Sequence, residues 1–345
     1  MPPPAGARSA VDVAAPAVDV RPVVLGLDVG GTKLAAGVVD AAGQVRSFAV
    51  ARTHADRGPE EGLERLFELG RGAVAASGIA PEEIAAVGIG CGGPLDAERG
   101  VLVAPPHLPG WSDVPLAGLA EEAFGVPAVL ENDATAAAAG EHRFGAGVGR
   151  RHLVYLTIST GVGGGVILDD RLYRGAMGNG AELGHVTVDW DGRPCPGCGR
   201  TGCLEAYVSG TSIAARAREA LARADVPSVL AALADLTAAD VAAAARDGDA
   251  VAAAVWEETT AALACGVVSI VNVFEPEVVV VGGGVSRAGE QLLAPVREAL
   301  RATAMSPAGR AVEVVRSPLG DRVGVVGAAA VVLDRAVSLG LLGRG

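Results

Sequence analysis

Two stretches of this chain share one pattern, and the repetition limits the fold more than any other feature. Val23–Leu27 is a short apolar run that enters the turn Asp28-Val29-Gly30-Gly31-Thr32-Lys33 and leaves through a second run, Leu34–Val39. After the turn at Asp40–Gly43, Gln44–Val50 can pair as a third strand. His152–Leu156 starts the pattern again, with a glycine turn at Ile158–Gly165, a strand at Val166–Leu168 and a turn at Asp169-Asp170. Strand, glycine turn, strand reads as a hairpin. The bare glycine backbone lets N–H groups approach a phosphate closely. Recurrence after about 130 residues, each time heading an α/β stretch, predicts a duplicated domain. Two such hairpins facing each other would hold a nucleotide between the domains. A length of 345 residues fits two domains.

The first turn is not a Walker loop, since the Gly-x-x-x-x-Gly-Lys-Ser/Thr spacing is absent. A two-glycine hairpin alone is most often a tight turn; an Asp before it and Thr32-Lys33 after it bring phosphate binding level with that reading. Lys33 is the chain's single lysine, although codon bias towards arginine explains that scarcity well enough. Glu60–Ser77 has helical apolar spacing, and Ile84–Ile89 reads as a strand. The strand leads into Gly88-Ile-Gly90-Cys-Gly-Gly93, which matches Gly-x-Gly-x-x-Gly. Pro94 follows and no helix opens, so a dinucleotide site is rejected and a glycine-lined ligand loop is expected. The strand Val126–Leu130 ends at Glu131-Asn132-Asp133, where an alanine-rich helix begins (Ala134–Glu141). Asp133 there can cap the helix. It also stands where α/β folds place ligands, at the C-terminal end of a strand. Further helices are expected over Ser212–Arg223, Ala238–Val273 and Arg287–Arg301, with strands at Val278–Val281 and Val312–Val315 and a last buried helix at Val323–Val337. Gly282-Gly283-Gly284 is a strand-to-helix turn whose backbone could touch adenine or ribose.

Three of the five cysteines lie within nine positions, Cys195, Cys198 and Cys203, with His185 just upstream. One imidazole and three thiolates are the ligand count of a closed tetrahedral zinc site. Glu182 and Glu205 flank the cluster. They suit sugar hydroxyls better than zinc. The odd, clustered cysteines argue against a disulfide framework and for a reducing compartment, the cytoplasm.

The formal charge of −12 disfavours a nucleic-acid or anionic membrane surface. No apolar run reaches the roughly 18 residues that span a bilayer. Residues 1–21, rich in Pro and Ala, are expected to be a disordered tail and not a signal peptide.

Taken together, LDVGGTK (27–33), GIGCGGPLD (88–96), ENDA (131–134), ISTGVGGG (158–165), ELGH (182–185), the cysteine cluster with CLE (203–205) and VVVVGGGVS (278–286) resemble the motifs of the ROK family of sugar kinases, most like its bacterial glucokinases. The resemblance covers about residues 23–340. It implies an α/β, two-lobed actin-like or hexokinase-type (ribonuclease H-like) fold of duplicated βββαβα domains. The small lobe would be 22–132 plus 322–345, the last helix returning to it, and the large lobe 133–321. It implies an ATP-dependent glucokinase with Asp133 as general base towards the sugar's 6-hydroxyl. Gly93, His107, Asn132, Glu182, His185 and Glu205 would hold the sugar. Asp28, Gly30, Gly31, Thr32, Lys33, Thr160, Gly161 and Gly283 would approach ATP, with Mg²⁺ alongside. One structural Zn²⁺ per chain would sit on His185, Cys195, Cys198 and Cys203. A homodimer or homotetramer is implied.

Three positions depart from the family pattern. The usual Cys-x-Cys-x4-Cys has one more residue here, Thr135 replaces a frequent Asn, and His107 stands where many members have a sugar-contacting Asn. The last change keeps N-acetylmannosamine, N-acetylglucosamine and other hexoses open as substrates. A sugar-responsive repressor of the same family is disfavoured, because about 22 residues before the first strand are too few for a helix-turn-helix. A catalytically dead sugar binder is disfavoured by the presence of Asp133, Lys33 and both glycine turns.

Overall fold

The computed structural model describes residues 22–341, so the expected tail at 1–21 lies outside the described residues. The first sheet contains β1 (Val23–Val29), β2 (Lys33–Val39), β3 (Val45–Arg52), β4 (Ile84–Cys91) and, after the short pair β5 (Leu95–Asp96) and β6 (Val101–Leu102), β7 (Ala128–Asn132). The second contains β8 (Leu153–Ile158), β9 (Val162–Leu168), β10 (Arg171–Leu172), β11 (Val278–Gly282) and β12 (Glu313–Arg316). Their strand orders, β3-β2-β1-β4-β7 and β10-β9-β8-β11-β12, correspond strand for strand. In each, an antiparallel three-stranded meander joins two parallel strands at its first strand. This is the duplication the two hairpins predicted.

Helices α1 (Pro59–Ser77) and α2 (Leu116–Phe124) cover one face of the first sheet, where Leu25, Leu27, Leu66 and Leu116 are fully buried. Helix α3 (Asp133–Phe144) follows β7. The second sheet is covered on one face by α4 (Glu205–Val208), α5 (Gly210–Arg223), α6 (Ala238–Arg246), α7 (Ala250–Phe274), α8 (Glu290–Thr303) and the short α9 (Pro307–Arg310). Its other face rests on Ala137 and Ala138 of α3. The last helix, α10 (Val323–Asp334), returns to the first sheet and packs on Val24, Ala86 and Val129.

Glycines set how closely these layers approach. A Cβ on Gly26 would lie 2.2 Å from the Val325 carbonyl oxygen, and one on Gly88 2.1 Å from that of Ala328, so α10 lies backbone-to-backbone on β1 and β4. On α3, a Cβ at Gly140 would lie 2.9 Å from Gly327 Cα. The two helices therefore cross in direct glycine contact between the sheets.

Five expectations are corrected. Gly88 to Cys91 is strand and not loop; the ligand loop begins at Gly92. Gly163–Gly165 is likewise the middle of β9, because side chains there would strike Ala134, Leu183 and the Ala134 carbonyl. The helix expected over Ala238–Val273 is broken, since Gly248 sits at φ 92° and Asp249 caps α7 by accepting from Ala252 N at 2.9 Å. Gly289, at φ 62°, separates a 3-10 turn at Gly284–Ala288 from α8. Helix α7 is long and apolar enough to cross a membrane by length and composition, contrary to the reading of the sequence. Here it is the central core helix of the second unit, with Leu263, Val267 and Ile270 buried.

Candidate functional site

The site begins where β7 becomes α3. Asn132, and not Asp133, is the cap: its Oδ1 accepts from Ala134 N and Thr135 N, both at 3.0 Å. That spends the Asn132 carbonyl on the helix and turns its Nδ2 outward, 3.8 Å from where a Gly93 Cβ would stand. Asp133 is thereby released from capping duty. Its Oδ1 accepts from Ala134 N at 2.8 Å, and the positive end of α3 favours its charge. Gly90 on β4 leaves room beside it, since a Cβ there would lie 3.6 Å from Asp133 Cα. Burial raises the Asp133 pKa above the usual carboxylate range, partly offset by the Ala134 N–H and by His107.

Asp28 lies one residue before the end of β1, beside this corner. Burial, followed by the charge of Asp133, lifts its pKa to about 6, with Lys33 opposing. Gly324, near the N-terminus of α10, makes space for it: a Cβ there would lie 2.3 Å from Asp28 Oδ2. The first turn is closed by Gly30 N donating to Lys33 O at 3.0 Å. Thr53, buried, donates its hydroxyl to Gly30 O at 2.6 Å and braces that turn. Thr32 and Lys33 are exposed at its tip.

His107 links two of the loops. Its ring lies against Gly92, where a Cβ would be 2.5 Å from Cε1, and its backbone blocks any side chain at Gly31 at 2.7 Å. Burial holds its pKa below the usual imidazole value against the pull of Asp133. A neutral ring at pH 7 can donate from one nitrogen and accept at the other.

Across from this corner, His185, Cys195, Cys198 and Cys203 place their ligand atoms within 4.8 Å of one another. Cys195 Sγ is 3.7 Å from His185 Nδ1, and the sulfurs of Cys198 and Cys203 are 3.6 Å apart. Zinc–sulfur bonds of about 2.3 Å set tetrahedral sulfur ligands roughly 3.8 Å apart, so the observed edges fit that ion. The extra residue between Cys195 and Cys198 is absorbed by a turn in which Gly199 N donates to Cys195 O at 2.9 Å. Glu205 is buried beneath both the cluster and the second glycine turn. Its Oε2 accepts from Val162 N at 2.8 Å, and its Oε1 is 3.5 Å from Cys195 Sγ. Gly161 and Gly197 must be small because Glu205 fills their side-chain space. Glu182 is exposed on the cleft wall. Desolvation there raises its pKa; His185 opposes this, and Asp133 and Glu205 add to it.

The second turn is pinned to α5, with Gly210 N donating to Ser159 O at 2.7 Å and Thr211 Oγ1 to Thr160 O at 2.6 Å. Beside Thr160 opens a cavity of about 710 Å³ lined by Thr211, Arg218, Leu236, Arg246, Trp256 and Gly284, among others. The sequence reading missed these lining residues apart from the glycine turn. They come from separate helices, and no local motif joins them. Gly284 lines the cavity; its neighbour Gly283, at φ 82°, turns its bare face to Ile158, whose oxygen a Cβ would meet at 2.3 Å.

The raised carboxylates predict a pH dependence. Below its pKa a carboxyl holds its proton and cannot accept another; Asp28, lifted to about 6, loses its charge as pH drops through that value, so kcat/KM should fall there. An ordinary carboxylate would place that limb near 4. A profile flat down to pH 5 would contradict the burial described for Asp28. Stability runs the opposite way for that group: the folded state holds its proton more tightly, so its contribution is full below about pH 4 and lost as pH rises through about 6.

Known proteins are similar to this chain over most of its length. A glucokinase from Thermotoga maritima is 38% identical over 315 residues, which cover 90% of this chain and 98% of that protein. One from Streptomyces coelicolor is 37% identical over 314 residues, 89% and 96% of the two chains. The crystal structure of a ROK family glucokinase from Streptomyces griseus in complex with glucose and AMPPNP superposes with a TM-score of 0.76 at 37% identity, covering 90% of this chain and 98% of that one. The ROK family model matches residues 24–335, a span that holds the capped Asn132-Asp133 corner, both glycine turns and the cysteine cluster, and the chain belongs to that family.

Proposed function

We propose that this chain is an ATP-dependent glucokinase. The observation that carries the reading is the corner at Asn132-Asp133, where the cap frees a carboxylate whose charge acts on Glu182. A sugar hydroxyl is a poor nucleophile at neutral pH, and a carboxylate at its proton makes it a better one. The 6-hydroxyl gives its proton to Asp133 as its oxygen bonds to the γ-phosphorus of ATP. The bond from that phosphorus to the β-bridging oxygen breaks and ADP leaves. Asn132 Nδ2, His107, Glu182 and His185 orient the sugar, with the backbone at Gly93 beside them. Glu205 acts on that side by holding the second turn and the cysteine loop in place.

Backbone N–H groups at Gly30–Lys33 and Thr160–Gly161 approach the phosphates, and the cavity beside Thr160 receives the nucleoside. Mg²⁺, when bound with ATP, supplies charge neutralisation on the phosphates, and Asp28 is the residue here suited to orient its water shell. The four ligands of the cysteine cluster leave no open position, so zinc there would be structural. Cytoplasmic location, a place at the head of glucose breakdown, and a homodimer or homotetramer belong to the same reading.

His107 favours a second reading, a kinase for an N-acetylated or other hexose, because an imidazole is larger than an amide and presents different hydrogen-bonding atoms. A panel of glucose, mannose, N-acetylglucosamine and N-acetylmannosamine, assayed for ADP release, separates the two. Glucose should give the highest kcat/KM. N-acetylmannosamine turning over tenfold faster would replace the glucokinase assignment.

A further inference from the structure

The segment between β10 and Glu182 belongs by sequence to the second sheet, yet it is fastened to the first. Tyr173 N donates to Val166 O at 2.8 Å, which roots the segment on β9. Gly180 N then donates to Arg174 O at 2.9 Å and closes residues 174–180 into a strap. Gly175 and Gly178 take positive φ within it. Two side chains reach from the strap to the other sheet. Arg174 Nε donates to Glu131 Oε2 at 2.7 Å. Asn179 Nδ2 donates to Leu95 O at 3.3 Å, while its Oδ1 stands 3.5 Å from Leu95 N.

Glu131 is the informative partner. Its side chain is 1% exposed, at the end of β7, next to Asn132 and two residues from Asp133. Its Oε1 accepts from Asn132 N at 3.2 Å. Its other charged neighbour is Arg335, just past α10, at 3.7 Å. A buried carboxylate without a close cation is costly, so the position of Arg174 is tied to that of Glu131. Leu95 lies two residues beyond Gly93, in the loop that faces Asn132. The strap runs directly into Glu182 and the turn holding His185. One short segment therefore touches both sugar-facing parts of the first unit and carries the sugar-facing part of the second.

We propose that Arg174 and Asn179 are positioning residues, and that their bonds to Glu131 and Leu95 form a latch setting the distance between the Asn132-Asp133 corner and the Glu182–His185 wall. Neither is among the residues assigned above to the hexose. Their effect is on alignment, and misplacement by about 1 Å can cost on the order of a hundredfold in rate. The inference rests on the hexose-kinase reading given above.

The test uses the full chain with Arg174→Ala, Arg174→Lys, Asn179→Ala and the double variant Arg174→Ala/Glu131→Gln. Steady-state kinetics, hexose affinity by calorimetry and melting temperature are measured on each. Arg174→Ala should lower kcat by roughly ten- to a hundredfold and weaken hexose affinity several-fold, with KM for ATP changed by less than about twofold. Arg174→Lys, which keeps the charge, should recover at least half of the loss on a logarithmic scale. The double variant should lose no more than Arg174→Ala alone, because the pair acts as a unit. Unchanged kcat and hexose affinity in Arg174→Ala would overturn the latch. So would losses that follow the fraction unfolded and are not rescued by Lys. A wild type that binds hexose without phosphorylating it would refute the kinase reading, and the latch would then be judged on calorimetric affinity. A wild type that binds no hexose would remove both.

Discussion

Asp133→Asn should bind hexose with wild-type affinity and turn it over about a thousandfold more slowly. The magnitude follows from the role: general base catalysis contributes roughly 10²–10⁴ in rate, and here no second carboxylate replaces Asp133 at the end of β7. Glu131 is two residues away but buried and paired with Arg174. Asp28 is another carboxylate whose charge interacts with Asp133; it lies one residue before the end of β1, next to the start of α10. The substitution should leave the fold undisturbed, because Asn132 supplies the cap and an Asn at 133 can still accept from Ala134 N. Removing a buried, raised carboxylate should even increase the melting temperature at neutral pH. Single-turnover kinetics with glucose affinity by calorimetry would check this. Turnover within tenfold of wild type would take the base role away from Asp133.

The second large effect is expected on removing metal from the cysteine cluster. Metal analysis should find one zinc per chain, bound by His185, Cys195, Cys198 and Cys203. Stripping it with a chelator, or making Cys203→Ser, should cost at least tenfold in glucose affinity and little in ATP affinity. The loss should be partial unfolding of one loop and not collapse of the protein. In isolated zinc fingers the metal supplies about 10–16 kcal/mol and nearly the whole fold. Here the loop has other anchors. Tyr207 donates to Asp189 at 2.8 Å and accepts from Arg193 N at 3.0 Å, and Arg193 pairs with Glu219. Those bonds tie the loop to α4 and α5. Without the metal they would hold its base, and His185 and Glu205 would lose their alignment. A metal-free protein with full glucose affinity would end the structural role assigned to the cluster.

The sequence made the chemistry easier to read than the packing. Asp133, the hairpins and the cysteine cluster are local patterns, and each reappears where its spacing put it. The strand glycines misled because glycine carries no information about its own neighbours. Gly88–Gly90 and Gly163–Gly165 look like loop residues, but they lie in strands so that α10 and α3 can approach. Asn132 was legible as a polar residue at a helix start, yet only geometry decides that it caps and that Asp133 does not. The cavity beside Thr160 assembles residues more than 100 positions apart, and Arg174 meets Glu131 across 43. Nothing in local spacing announces such contacts. The long helix expected over Ala238–Val273 failed at Gly248, where alanine-rich composition on both sides concealed a break.

The glycine contact between α3 and α10 has a mechanical consequence. Helix α10 is bound to the first sheet and α3 to the second through Gly165, so the crossing of Gly140 over Gly327 is the joint between them. Helices that meet through interlocked side chains resist rotation, because ridges must climb out of grooves. At this joint two glycines meet, flanked by small side chains such as Ala136 and Ala139 on α3 and Ala329 and Ala330 on α10, so the ridges are low. Such a joint should resist rotation less than one of interlocked large side chains would, as a worn bearing does. An alanine at either position would be a favourable choice by helix propensity, and it would wedge the bearing.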